Sequence, residues 1–168
     1  MALKLDISIA GDQQLKRALG VRLDKVDDLR PAWDEVDAYL NKLHVRRFKH
    51  KGAIDGLPKW AALSKYTRDR KPPHLRDKPL ILTGRLLRSL SNSKSSGALR
   101  EKKKHYFKWG VDETRVPYAG KHQTGEPPRL PQRKPINLAN KHRRQITRII
   151  NDFLHKTNQF ERGAARAP

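Results

Sequence analysis

His105–Val111 reads HYFKWGV, and the alternation in it decides what kind of fold the chain builds. Tyr106, Lys108 and Gly110 fall on one face, and Phe107, Trp109 and Val111 fall on the other. Period two with aromatic residues on one side marks a strand half-buried against a core. Working outward, Asp112–Arg115 reads as a turn, and SNSKSSGALREKKK (Ser91–Lys104) as a polar hairpin arm. The same period governs LKLDISIAGD (Leu3–Asp12), where Leu3, Leu5, Ile7 and Ile9 alternate with polar residues up to the Gly-Asp turn.

From Gln13 the period changes. Leu15, Leu19, Leu23, Val26 and Leu29 stand at helical spacing behind Asp12 as a candidate N-cap, with Gly20 as an interruption. Pro31 suits the first turn of a second helix, with Asp34 and Glu35 near its positive end and Trp33, Val36, Leu40 and Leu43 as a stripe to about Phe48. The strongest helical pattern is Asn137–Thr157. His142, Ile146, Ile149, Ile150, Phe153 and Leu154 share one face, and Lys141, Arg143, Arg144, Thr147 and Arg148 cover the other.

These periods predict an α+β fold: a small, mainly antiparallel sheet packed with two N-terminal helices and a C-terminal amphipathic helix, with long basic loops. The expected strands are Leu3–Ile9, about Leu87–Lys94, about Lys104–Val111 and a short segment near Arg133–Ile136. A single domain spans 1–157, with a mobile basic loop at about 65–79, a polar arm at about 91–104 and a flexible tail at 158–168. The loop and the arm are expected to order against neighbouring subunits. Trp33, Leu40, Trp60, Phe107, Ile146, Ile150 and Phe153 are the expected core, with Trp109 reserved for an interface.

The chain has 168 residues and a net charge of +21, distributed unevenly. Residues 1–40 hold 6 basic and 8 acidic side chains, which leaves 32 basic and 9 acidic ones in the remaining 128. Such a field favours a polyanion, because Lys and Arg hold phosphates with release of condensed counterions. Cysteine is absent, so neither disulfides nor thiolate zinc sites arise, as suits a reducing compartment. No apolar run is long enough to span a membrane, and MALKLDISIAGD lacks the features of a secretory signal.

Catalysis finds little support. His122 and Glu126 are four apart, but Gly125 and Pro127-Pro128 forbid a helix through them. No zinc-protease, nucleophile-elbow, phosphate-loop or dinucleotide motif is present, and the seven histidines are scattered. The segment YAGKHQTGEPPRLPQRKPI (Tyr118–Ile136) reads as a strand, a tight turn and a second edge rather than a phosphate cradle, since prolines follow its glycines where a helix should open. No catalytic residue, metal ligand or cofactor is expected.

Five segments in order resemble the phage virion morphogenesis family, the tail-completion proteins of contractile-tailed and Mu-like phages. They are WAALSKYT (Trp60–Thr67), ILTGRLLRSL (Ile81–Leu90), WGVD (Trp109–Asp112), PYAGKHQTGE (Pro117–Glu126) and PPRLPQRKP (Pro127–Pro135), followed by the last helix. The likeness runs from Asp6 to Leu154. It implies a small, non-enzymatic virion protein of the neck or upper tail, present in the host cytoplasm during assembly. Its implied partners are further copies of itself in a ring, commonly a hexamer, and neighbouring neck, connector or tail-tube proteins.

Two groups of residues are expected to make contacts. Lys65, Arg68, Arg70, Lys71, Arg76, Lys78, Lys102, Lys103 and Lys104 should face phage DNA non-specifically or an acidic neighbour. Tyr118, His122, Gln123, Gly125, Arg129 and Arg133 form a candidate structural and subunit-contact motif. The competing reading is a basic, sequence-non-specific nucleic-acid-binding protein, with aromatics among cations in KKKHYFKW for stacking. A nuclease stands further off, because the basic region lacks clustered carboxylates.

Overall fold

In a computed structural model, residues 3–8 and 28–164 are described, with side chains described from 28 to 156. The chain is α+β. Among the described residues the order is β1 (Leu3–Ser8), α1 (Arg30–Lys49), α2 (Lys65–Asp69), α3 (Arg85–Ser91), β2 (Ala98–Lys102), β3 (Tyr106–Val111), α4 (Tyr118–Thr124) and α5 (Asn140–Ala164). A 3₁₀ turn at Pro73–Leu75 follows α2. The helix expected from Gln13 lies outside the described residues, apart from its last residue Leu29, which caps α1.

The alternating stretch is the centre of the sheet. β3 lies between β1 and β2 and pairs antiparallel with both. Leu3 stands opposite Val111 and Ser8 opposite Tyr106 on one side; Ala98 stands opposite Val111 and Lys102 opposite Phe107 on the other. Phe107, Trp109 and Val111 are fully buried, so Trp109 is core and not an interface residue. They share one buried cluster with Trp33, Val36 and Leu40 of α1, Leu86 and Leu90 of α3, and Ile146, Ile150 and Leu154 of α5, which packs on α1. Of the expected core, only Phe153 stays partly buried.

The β2–β3 register puts two cations on the core face. Arg100 sits opposite Trp109 and Lys102 opposite Phe107, with the guanidinium carbon 4.5 Å and the ammonium nitrogen 5.4 Å from the ring centroids. Asp37, buried on α1, answers them. It accepts from Ser93 Oγ at 2.8 Å, Arg100 Nε at 2.8 Å, Lys102 Nζ at 3.1 Å and Trp109 Nε1 at 3.1 Å. Burial alone would raise its pKa, but the Ser93 bond and the charges of Arg100 and Lys102 outweigh that and hold it below the usual value. Arg100 also donates to the carbonyls of Leu99, Gly110 and Ser89 and to Asn41 Oδ1. The pair is therefore buried with its hydrogen bonds met, the condition under which a buried charge is tolerated.

Several expectations are corrected. Leu87–Lys94 is not a strand: Arg85–Ser91 is helical, started by Gly84 at φ +72°, and the edge strand comes later, at Ala98–Lys102. Arg133–Ile136 joins no ladder. Pro131 and Pro135 have no N–H to give, and Ile136 is paired at both ends by one side chain, with Gln123 Nε2 donating to its carbonyl at 2.8 Å and its N–H donating to Gln123 Oε1 at 3.2 Å. Tyr118–Thr124 is a helix, not a strand. The last helix begins at Asn140 and continues to Ala164, later at both ends than the expected Asn137–Thr157.

The loop and arm also carry more structure than their composition suggests. Within 65–79, Ser64 Oγ caps α2 by accepting from Thr67 N at 3.2 Å, and Lys71 Nζ closes the segment by donating to Lys78 O at 2.7 Å. The arm ends in the β2–β3 hairpin, whose tip is fastened to α1. Leu29 N donates to Lys104 O, and Trp33 Nε1 donates to Lys103 O, both at 2.9 Å.

Candidate functional site: a cationic groove

Beyond α1 the chain turns at Gly52 and Gly56 and returns to the core through Trp60. The carbonyl of Lys134 accepts from Arg47 Nη2 at 2.9 Å and from Trp60 Nε1 at 3.0 Å, so this end of α1 holds both later segments. Arg133 then donates Nε to Ala61 O and Nη2 to Ala62 O, both at 2.7 Å. These bonds set the 62–83 segment against the 118–133 segment. A groove of about 860 Å³ opens between them.

The groove is lined by both apolar and cationic side chains. Leu63, Leu80, Ile81 and Leu130 line it, together with Arg70, Lys71, Arg85, Arg129 and Arg133, and no Asp or Glu is among its lining residues. Among the described residues, the exposed large apolar side chains are Val45, Tyr66, Leu82 and Tyr118, and the last three all line this groove. Leu82 is 62% exposed and Tyr66 69%, with the Arg70 guanidinium 3.4 Å from the Tyr66 ring centroid.

The cations here are held by carbonyls and rings. Lys71 is buried on Lys78 O, and burial followed by the charge of Arg133 lowers its pKa. Burial lowers that of Arg133 as well. His122 stands edge-on to Tyr118, and burial and then Arg133 push its pKa down, so it is neutral at pH 7. Its Nδ1 is buried without a hydrogen-bond partner.

The structure brings together Arg70, Lys71, Tyr118, His122, Arg129 and Arg133 from the two expected groups. Gln123 and Gly125 are fasteners behind the groove. Gln123 holds Ile136, and Gly125, at φ +77°, ends α4 where an added Cβ would stand 2.9 Å from Gln132 N. Lys65, Arg68, Arg76 and Lys78 are exposed on the same 65–79 segment but do not line the groove. Lys102, Lys103 and Lys104 lie elsewhere, at the start of α1, and Lys102 is engaged by Asp34 at 2.7 Å and by Asp37. Trp33, which holds the hairpin tip, and Arg47, which holds Lys134, are 14 residues apart on α1, or about 21 Å along its axis. The two basic groups are therefore separate surfaces.

Tyr66, Leu82 and Arg85 were not singled out from sequence. The signal for them is an apolar run, Leu80–Leu82, placed between a basic segment and a Gly84 cap; Leu80 and Ile81 pack against the core and Leu82 is left exposed.

One other constellation has the look of chemistry. His142 Nε2 lies 2.9 Å from Asp55 Oδ2, and Lys141 Nζ lies 2.9 Å from Asp55 Oδ1. These bonds, His142 first and Lys141 next, hold the Asp55 carboxyl at about 2. His142 Nδ1 accepts from Ala139 N at 3.1 Å and the residue is 1% exposed, so both ring nitrogens are occupied and neither faces a substrate. The pair ties the start of α5 to the Asp55 turn. Among the described residues no three His, Cys, Asp or Glu side chains are grouped to hold a metal ion, and no helix is long and apolar enough to cross a membrane.

The model of the phage virion morphogenesis family matches residues 10–155, so the chain belongs to that family. No curated protein and no solved structure matches it. The family is a structural one, and the chain accordingly has a role in building the phage virion.

Proposed function

We propose that this family member is a non-enzymatic component of the virion neck or upper tail, which assembles with itself into a ring, completes the tail and helps join it to the head. The observation that carries the reading is the family match over 10–155, which takes in the fold and both walls of the groove. The charge is consistent with it. A neck subunit works beside the end of the genome and beside other rings, and positive surfaces at two ends of α1 suit anionic neighbours on two sides. Contacts to DNA would be made by number and position of cations, without reading bases.

The deciding experiment is genetic. Phage with a nonsense codon in this gene should accumulate filled heads and separate tails, visible by negative-stain electron microscopy, and joining should be restored by adding the purified protein. Defective heads, or tails that fail to grow, would place the function at another stage. The second reading, a free nucleic-acid-binding protein, draws on the net charge of +21. It requires the protein to be absent from finished particles, which immunoblotting of purified virions decides.

A further inference from the structure

We propose that the groove between the 62–83 and 118–133 segments is the docking site for an acidic segment of a neighbouring virion protein, one that also carries aliphatic or aromatic side chains. The identity of the neighbour rests on the neck or upper-tail reading; the chemistry of the segment rests on the groove itself.

Two observations define that chemistry. First, the exposed apolar side chains concentrate there, with Tyr66, Leu82 and Tyr118 in one groove. A contiguous apolar surface rimmed by polar groups marks a binding site for protein. Second, the cations have no carboxylate among the lining residues. Lys71 and Arg133 both line the groove, buried on carbonyl oxygens, with the charge of Arg133 acting on Lys71, and His122 Nδ1 in the same lining lacks a partner. Two like charges brought close without a counter-ion cost free energy that an incoming carboxylate recovers, with charge-assisted bonds as the gain.

A phosphate backbone meets only half of this surface. Duplex DNA would satisfy the cations and leave Leu82 and the rest of the apolar lining in water. A segment with acidic side chains flanking an aliphatic or aromatic anchor satisfies both, the anchor packing on the apolar lining and the carboxylates reaching Arg70, Arg129 and Arg133. The expected mode is that of a short peptide in a preformed groove.

The test uses the full chain and a random-sequence peptide library, with selection against the native protein and counter-selection on Leu82→Asp. Enriched peptides should carry Asp or Glu beside Leu, Ile, Phe or Trp. By fluorescence anisotropy, a selected peptide should lose tenfold or more in affinity when its acids become amides, and likewise against Leu82→Asp or Arg129→Glu. Both positions are exposed, so thermal unfolding should match the parent. Arg129→Lys should retain most of the binding. The proposal fails if no peptide is enriched, if enriched peptides are neutral, or if both variants bind as well as the parent. It fails equally if duplex DNA displaces the peptide and is itself weakened by Leu82→Asp, which makes this a nucleic-acid site. Self-association of the chain that is lost in Leu82→Asp, with no peptide selected, would make the occupant a second copy and overturn the assignment. These outcomes are independent of the neck reading: a morphogenesis defect at another stage would remove that reading and leave peptide binding standing.

Discussion

Mild acid should destabilise this protein, and His44 should be the main cause. The ring lies within the core, fully buried, 4.6 Å from Trp109 between centroids, with Nδ1 2.8 Å from Leu40 O and Nε2 without a partner. Burial is the largest influence on it, and the nearby charges of Arg47, Arg100 and His142 act in the same direction, so its pKa falls to about 3. In the unfolded chain the same group titrates near 6.5. Between those values the unfolded state binds a proton that the folded state refuses. Stability is therefore fully present above about pH 6.5 and falls as pH drops toward 3, at about 1.4 kcal/mol per unit. From pH 7 to pH 5 the loss integrates to about 2 kcal/mol, which lowers Tm by roughly 4–8 °C for a chain of this size. Asp37 and Asp55 have depressed pKa values, so their contributions disappear only below the ordinary carboxylate range. The pH 7 to 5 window belongs to histidine, with a smaller share of the same sign from His122.

The perturbation is His44→Leu, which keeps the volume, removes the unpartnered nitrogen and removes the titration. Calorimetry or circular dichroism melts at pH 7, 6 and 5 should show the parent losing stability and the variant losing much less. If the parent is flat across that range, or if His44→Leu leaves the slope unchanged, the ring is not held neutral by burial and the reasoning is wrong.

Asp37→Ala leaves Arg100 buried at the core face without its counter-ion, and urea unfolding should report a loss of about 3–5 kcal/mol. Ile150→Ala removes a fully buried side chain from α5 and should cost about 2–5 kcal/mol by the same measurement. Gly125→Ala forces a Cβ against Gln132 at positive φ and should cost roughly 1–3 kcal/mol, read as a lower Tm. Free protein should bind duplex DNA without sequence preference and with affinity falling steeply as salt rises. Lys103→Glu with Lys104→Glu should flatten that salt dependence, measured by anisotropy at several salt concentrations.

The sheet and the long helices were legible because burial writes a period into the chain. Phe107, Trp109 and Val111 alternate, and His142, Ile146 and Ile150 recur at helical spacing, so each face could be named before any contact was known. What was not legible depends on single side chains that replace backbone pairing. Gln123 occupies both polar groups of Ile136, so an extended segment with strand-like composition never enters the sheet. Arg100 and Lys102 look like surface residues of a polar arm, yet the register turns them onto the core face, where Asp37 from 63 and 65 residues away makes their burial tolerable. Such pairs leave no periodic trace. The groove is a harder case still, because its two walls are distant in sequence and are brought together by single side chains, Arg133 bonding Ala61 and Ala62 and Trp60 bonding Lys134.

Charge read as a total also conceals its division. Net charge counts Lys71, Lys102 and Arg133 alike with Lys103 and Arg129, but the first three are committed to bonds inside the fold. Lys102 is neutralised by two carboxylates, so it adds nothing to an outward field. Lys71 and Arg133 are bound to carbonyl oxygens, so their positive charge persists in the lining of the groove. Counter-ion chemistry, rather than exposure, separates a cation that stabilises the fold from one that remains available to a partner. Two such cationic surfaces lie about 21 Å apart along α1, the β2–β3 tip and the groove. Only the groove adds exposed apolar side chains to its cations. A partner made of phosphates has no use for those, which is why the two surfaces call for different neighbours and why loss of one should leave the other working.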